Sequence, residues 1–196
     1  MSTFTGVATG LQAALLLARG RPDGLTLLAT EQEPALATAA RSFWAAALCL
    51  PAFVCLQLID IAQEPRLPPY AAHGFALQLL SYIVDWAGYA LLTRWLAGVI
   101  GRRERWPTYI AAWNWCQVVQ YLLAVVAMLP QLLGMPDLVC ETAWLVATGW
   151  AVWLEWYATR LALGVPAMQA VALVLLDEAL GFALLALVQS LPGGGV

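Results

Sequence analysis

An apolar stretch over residues 71–97 carries a single acidic residue, Asp85, near its middle. At about 1.5 Å per residue, a helix of this length crosses a hydrocarbon core of about 30 Å. A carboxyl group at that depth is costly unless it is paired, hydrated or protonated, so we expect it to face protein. Tyr82, Gly88 and Tyr89 share its side of the helix at about 100° per residue. We therefore expect the other helices to pack around this one.

The composition indicates a membrane protein. Hydrophobic residues make up 62% of the 196 residues and charged residues only 11%, against roughly 25% charged in a soluble domain. Four further apolar spans are predicted at residues 42–62, 107–132, 138–161 and 166–191. Their short connections favour antiparallel neighbours. The predicted fold is an all-α membrane protein, a five-transmembrane-helix bundle that forms the domain 42–191.

The segments that flank this domain are too short or too polar to cross a bilayer. Residues 1–41 contain the apolar run 11–18, followed by a connector with Pro22 and Pro34. A run of that length predicts a short N-terminal amphipathic helix that lies at the membrane interface, joined to the first span by a cytoplasmic connector. Residues 192–196 are expected to form a periplasmic tail.

The arginines predict the orientation of the bundle. All nine basic residues are arginine, and every one except Arg66 falls on the same side of the five predicted spans. Because cytoplasmic loops carry the excess of basic residues, the N-terminus is predicted to be cytoplasmic and the C-terminus periplasmic. The absence of lysine and the abundance of alanine and leucine are typical of GC-rich bacteria, so the expected location is a bacterial inner membrane. No basic patch indicates binding to nucleic acid.

Polar residues recur at similar depths in several spans and predict one intramembrane cluster. Its candidate members are Asp85, Asn114, Gln117, Gln120, Tyr121, Glu155, Asp177 and Glu178. Two ionised aspartates at one depth repel strongly, so we expect Asp85 or Asp177 to carry a proton. Arg94 and Arg160 are the candidate ion-pair partners, and Glu155 is the acid that we expect to be paired.

Signals of catalysis or of a bound cofactor are missing from the sequence. There is no GxSxG motif and no glycine-rich phosphate loop. One histidine and four cysteines without CxxC spacing give little material for a zinc or haem site. We expect no enzyme activity, no metal and no cofactor.

The lead from Arg105 to Tyr109 into the segment Trp113-Asn114-Trp115-Cys116-Gln117 resembles small alphaproteobacterial inner-membrane proteins, which are distantly similar to the Yip1 superfamily. The resemblance covers about residues 10–190, including Phe43-Trp44 and the loop 160–164. It implies five spans and a cytoplasmic N-terminus. In eukaryotes, members of that superfamily serve vesicle trafficking through partner proteins.

Three kinds of function fit these patterns. The leading hypothesis is a non-catalytic membrane protein that acts as an interaction, assembly or accessory subunit, with membrane lipids around it and another membrane protein, or itself, as partner. The first alternative is a small transporter or a proton or ion pathway that uses Asp85 and Asp177. The second is lipid or quinone binding among the tryptophans of residues 144–156. Hydrogen bonding between helices also explains the polar residues, at about 1 kcal/mol each.

Overall fold

The computed structural model describes residues 3–29, 34–63 and 71–191, which contain helices and no strand. The helices are α1 (Thr3–Ala18), α2 (Asp23–Leu28), α3 (Ala35–Ser42), α4 (Trp44–Gln63), α5 (Ala71–Val99), α6 (Trp106–Ala127), α7 (Leu129–Leu132), α8 (Asp137–Leu163) and α9 (Ala167–Ser190), with a 3₁₀ turn at Arg103–Arg105. The predicted tail 192–196 and part of the predicted connector, residues 30–33, lie outside the described residues, as does Arg66.

Proline and glycine set the helix ends. Pro107 lies in the first turn of α6, and Pro166 precedes α9, where a missing backbone N–H removes no helical hydrogen bond. α8 ends at Gly164, whose φ of 61° lies in the left-handed region that favours glycine. A Cβ at Gly164 would also overlap the Arg105 guanidinium. The chain therefore turns sharply from α8 into α9.

Within the described ranges, four helical segments are long and apolar enough to cross a membrane, which confirms the prediction of an all-α membrane protein. They are Ala35–Ala62, Ala72–Val99, Arg103–Leu132 and Ala167–Ser190. The first joins α3 and α4, and the third joins α6 and α7. The fifth predicted span corresponds to α8, which is 27 residues long but is not among these four. Its tryptophans and acidic residues lower its mean hydropathy.

The centre of the bundle is α6, and the expectation that the other helices pack around α5 is wrong. α6 contacts α1, α3, α4 and α8 along its length, whereas α5 packs chiefly against α9. Every side chain over residues 109–116 is buried. A helix buried on all sides occupies a core. Hydropathy did not reveal this position, because lipid and protein interior favour the same residues.

α1, the helix predicted to lie at the membrane interface, packs against α6 in the bundle, and its position relative to a membrane stays a prediction. Ala13 and Leu17 are fully buried, whereas Leu15 is exposed. The face toward α6 includes Gly10, where an added Cβ would overlap the Trp115 indole. Small residues let α1 approach α6 closely, so close packing on α6 decides its orientation.

The two ends of the bundle differ in packing. The packed half comprises α1, α2, α3, residues 106–116 of α6 and residues 154–163 of α8, where most side chains facing α6 are buried. The open half comprises residues 117–127 of α6, α7, residues 137–153 of α8 and residues 178–190 of α9. Most side chains of these α8 and α9 segments are exposed. The predicted polar cluster lies at the boundary between the halves.

Candidate functional site

A cleft of about 270 Å³ lies near the middle of the bundle and brings four acidic residues together. We call it the acidic cleft; α5, α6, α8 and α9 all contribute to it. Its lining residues are Asp85, Gln117, Gln120, Glu155, Asp177, Glu178, Gly181, Phe182 and Leu185. Six of the eight residues predicted from sequence therefore line one cavity. None of the lining residues is basic.

Asp85 enters the acidic cleft from the centre of α5. Its side chain is half-buried, and its Oδ1 atom is fully buried with no hydrogen-bond partner among the described residues. A buried carboxyl oxygen without a partner is unfavourable in a medium of low dielectric constant. Asp85 therefore has an acceptor oxygen that the described residues do not use.

Glu155 is the most deeply buried of the four acids, with 3% of its surface exposed. Its Oε1 atom also lacks a hydrogen-bond partner in the described ranges. Its carboxyl group lies beside that of Asp177, which projects from α9. Two adjacent carboxyl groups repel one another when both are ionised. The arrangement favours a shared proton or an added positive charge.

Asp177 is held in place by a tryptophan that sequence reasoning missed. The Trp113 indole donates a hydrogen bond from Nε1 to Asp177 Oδ2 at 2.9 Å. The Trp113 ring contacts Tyr89 and Trp86, with centroids 4.6 and 5.3 Å away. The available signal was spacing, because Trp113, Gln117 and Gln120 share one face of a helix at intervals of four and three residues.

A buried tyrosine pair lies next to Trp113, the donor to Asp177. The hydroxyl groups of Tyr89 and Tyr109 are 2.6 Å apart, and Tyr89 also donates to the Leu173 carbonyl at 3.4 Å. Both side chains are almost fully buried. The pair joins α5 to α6 and α9 on the side of the packed half. Neither tyrosine was among the predicted site residues.

The remaining cluster residues extend toward the open half. Gln120 donates from Nε2 to the Ala151 carbonyl at 3.3 Å. Tyr121 lies against Tyr82, with ring centroids 6.1 Å apart. Both residues, with Gln117 and Glu178, line an adjoining cavity of about 230 Å³. Glu178 itself is exposed, so the polar surface reaches the outside of the bundle.

Asn114 does not join the acidic cleft. It is fully buried, and its Nδ2 donates to the Ser42 hydroxyl at 2.6 Å. Ser42 in turn donates to the Ala39 carbonyl at 2.7 Å. Successive residues on a helix differ by about 100°, so Asn114 points away from the direction of Trp113. It links α6 to α3 instead.

The two arginines predicted as ion-pair partners lie elsewhere. The Arg94 guanidinium lies 5.5 Å from the centre of the Trp106 ring, and the Arg160 guanidinium 5.5 Å from that of Trp156. Each makes a cation–π contact at the packed half. Both side chains are exposed, and neither forms an ion pair with a described carboxylate. The expected pairing of Glu155 with arginine is therefore wrong.

The chemistry available in the acidic cleft is that of carboxyl acceptors and amides. No group of three or more His, Cys, Asp or Glu side chains within the described ranges is arranged to hold a metal ion. The cleft suits a positively charged group or several hydrogen-bond donors. Comparison with protein-family models, with curated proteins and with solved structures finds no match to this chain.

Proposed function

We propose that this protein is a non-catalytic integral membrane protein that acts as an interaction, assembly or accessory subunit of a membrane complex. One observation carries the proposal: the acidic cleft holds buried carboxyl oxygens of Asp85 and Glu155 that have no partner in the described chain. Its mouth lies on the exposed side of α9, where Phe182 is 68% exposed. We therefore expect another molecule to bind in the cleft and to supply the hydrogen-bond partners that these oxygens lack.

The proposed topology has five spans, with α8 as the one that hydropathy alone does not select. Its 27 residues are sufficient for a crossing. It packs against both α6 and α9, so its less apolar residues face protein rather than lipid. Glu155 in particular lies in the acidic cleft. An acidic, tryptophan-rich helix is compatible with a membrane when neighbouring helices cover its polar side.

The proposed orientation places the packed half at the cytoplasmic surface of a bacterial inner membrane. Arg94 contacts the N-terminus of α6, and Arg105 contacts the end of α8. Arginines on both sides of the α5–α6 connection thus gather near the end of α8, as the positive-inside rule requires for a cytoplasmic side. The topology also agrees with the five-span Yip1 superfamily that the sequence resembles.

The proposal is tested by isolating the protein in its native membrane without detergent. We expect extraction in polymer-bounded nanodiscs to yield the chain in a defined complex, with native mass spectrometry giving a mass above that of the 21.2 kDa monomer. The Asp85→Asn variant serves for comparison, and Glu141→Gln, an exposed acid of α8 outside the cleft, is its control. A monomer as the sole species in wild type would contradict the proposal.

A proton or ion pathway is the second candidate, and the Tyr89–Tyr109 pair favours it. Hydroxyl groups 2.6 Å apart beside buried acids extend the polar groups beyond the cleft toward the packed half. Such chains of titratable and hydroxyl groups mark proton paths in membranes. The test is proton flux into reconstituted vesicles. Flux above that of protein-free vesicles, reduced by Asp85→Asn and by Tyr89→Phe, is expected of a pathway; equal flux in all samples excludes it.

A further inference from the structure

The acidic cleft brings acidic groups together without a basic partner among the described residues. Four carboxyl side chains and two amides line it, and no basic side chain of the described ranges does. Glu155, which lines the cleft, is almost completely buried, and its Oε1 atom has no hydrogen-bond partner among the described residues. Asp85 presents a second such oxygen. Buried carboxylates are stable in proteins when paired with a positive charge.

The exposed residues that line the cleft belong to α9, one of the helices long and apolar enough to cross a membrane. The mouth of the cleft is formed by Gly181, Phe182 and Leu185, which are exposed residues in the middle of α9. A Cβ built on Gly181 meets no other atom within 4 Å. An approaching helix can therefore come close to α9 at this point, and its apolar side chains would contact Phe182 and Leu185.

We propose that the acidic cleft receives the side chain of an arginine or lysine located halfway along a membrane-spanning helix of another protein. This inference rests on the proposed function and names the chemistry of the partner. The cation would lie between Asp85 and Glu155 and supply hydrogen bonds to both unpartnered oxygens. Its own helix would pack along α9 across the mouth.

Two features favour a partner helix over other occupants. The cleft of about 270 Å³ places its carboxyl and amide groups beside the exposed apolar side chains of Phe182 and Leu185, a surface that suits an apolar helix carrying one cationic side chain. A second copy of this chain is a poor donor, because its described arginines lie at the packed end or in loops rather than at mid-span. A charged residue in mid-membrane in turn needs such a partner.

Designed transmembrane peptides test the inference directly. Purified protein in lipid nanodiscs is mixed with a fluorescently labelled leucine–alanine helix that carries one central arginine, or with a matched helix that carries leucine there. Energy transfer to a label on the protein gives the two dissociation constants. We expect the arginine helix to bind at least about tenfold more tightly, because its charge is paired only in the complex.

Matched variants locate the binding. Glu155→Gln and Asp85→Asn are expected to abolish the preference for arginine, whereas Glu141→Gln leaves it unchanged. Gly181→Leu blocks the mouth where there is open space for a side chain, so it removes binding without disturbing the core. The Gly181→Leu variant therefore tests the inference even if the Glu155→Gln variant fails to fold.

Three outcomes would overturn the inference. They are equal binding of both peptides, a preference for arginine that survives Gly181→Leu, and full displacement of the peptide by free propylguanidinium, which would make the cleft a site for small cations. If any of these occurs while a native complex persists, the proposed function stands and only the chemistry of docking is wrong. If the native complex is also missing, the proposed function fails independently.

Discussion

The two halves of the bundle are both built from apolar helices, but they differ in how closely those helices pack. In the packed half, Gly10 fits against the Trp115 ring, and the Tyr157 hydroxyl reaches the Gly20 carbonyl at 2.7 Å. In the open half, most side chains over residues 131–146 and 178–187 are exposed. Small residues paired with large aromatic ones close the first half, whereas branched aliphatic residues line the surface of the second.

The comparison separates polar side chains that hold helices together from polar side chains that we expect to bind another molecule. In the packed half, Asn114 is bonded to Ser42, and Trp106 donates to the Thr93 hydroxyl at 3.2 Å. Asn114 Oδ1 and Asp85 Oδ1 are both buried without a partner among the described residues. The difference is that Asn114 makes a hydrogen bond through Nδ2, whereas the described residues make none to Asp85 at the acidic cleft. The first group stabilises the fold. The second is the group that we expect to function.

Replacing a glycine by alanine should give the largest difference in stability between the two halves. Gly10→Ala places a Cβ in the Trp115 ring, so we expect a loss of about 3 kcal/mol in the free energy of unfolding, at the upper end for an overpacked core. Gly149→Ala adds the same group in the open half, where nothing lies within 4 Å, and should be neutral or slightly stabilising because alanine favours helix.

Unfolding in mixed micelles under increasing dodecyl sulfate, followed by circular dichroism, measures both changes. Equal midpoints for the two variants would show that α1 is not packed on α6 as described. A destabilised Gly149→Ala variant would show that the open half is covered in the isolated chain.

Replacing an amide by an acid in the packed half, and an acid by an amide at the acidic cleft, should change the free energy of unfolding by different amounts. Asn114→Asp removes the donor to Ser42 and brings a carboxyl group into a fully buried site, so we expect a loss of about 2 kcal/mol in unfolding free energy. Asp85→Asn removes no hydrogen bond or ion pair that the described residues make to this side chain, so its change should stay within about 0.5 kcal/mol.

The same denaturation assay measures this exchange. A large loss of unfolding free energy in Asp85→Asn would mean that Asp85 is already paired within the chain. Its carboxyl group would then not be available to a partner. Unchanged stability of Asn114→Asp would remove Asn114 from the structural network of the packed half.

A smaller loss than for Gly10→Ala or Asn114→Asp is expected at the border of the halves. Trp113→Phe keeps an aromatic ring but removes the donor to Asp177 Oδ2, which is worth about 1 kcal/mol between membrane helices. Trp86→Phe is the matched control, since its ring also contacts Trp113 and the described residues give its N–H no partner. Tryptophan fluorescence during unfolding should show the larger shift for Trp113→Phe; identical shifts would exclude a role for the indole donor.

Local patterns predicted the helices closely because each pattern reports on its own segment. The predicted span 71–97 lies within α5, and 138–161 within α8. The break at Met128, which divides the predicted span 107–132 into α6 and α7, was not visible in hydropathy. The placement of Asp85, Gln117 and Asp177 around one cavity followed from their similar depths along antiparallel helices.

Contacts between helices were predicted less well, because they depend on shape. Sequence favoured α5 as the centre on the strength of its aspartate, whereas the buried position belongs to α6, which has Trp115 facing Gly10. The prediction that Glu155 forms an ion pair assumed that an arginine side chain would lie beside the nearest acidic residue. Arg160 instead lies over Trp156, where its guanidinium stays exposed and keeps its hydration.

A photoreactive side chain at the mouth of the acidic cleft tests the central claim most directly. Replacing Phe182 with benzoylphenylalanine changes an exposed aromatic side chain that lines the cleft, and Leu91 of α5, which is 69% exposed, is the control position. After irradiation in native membranes, we predict a protein adduct at residue 182 that maps to a membrane-spanning segment containing arginine or lysine, and only lipid adducts at residue 91. Lipid adducts alone at both positions would contradict the account.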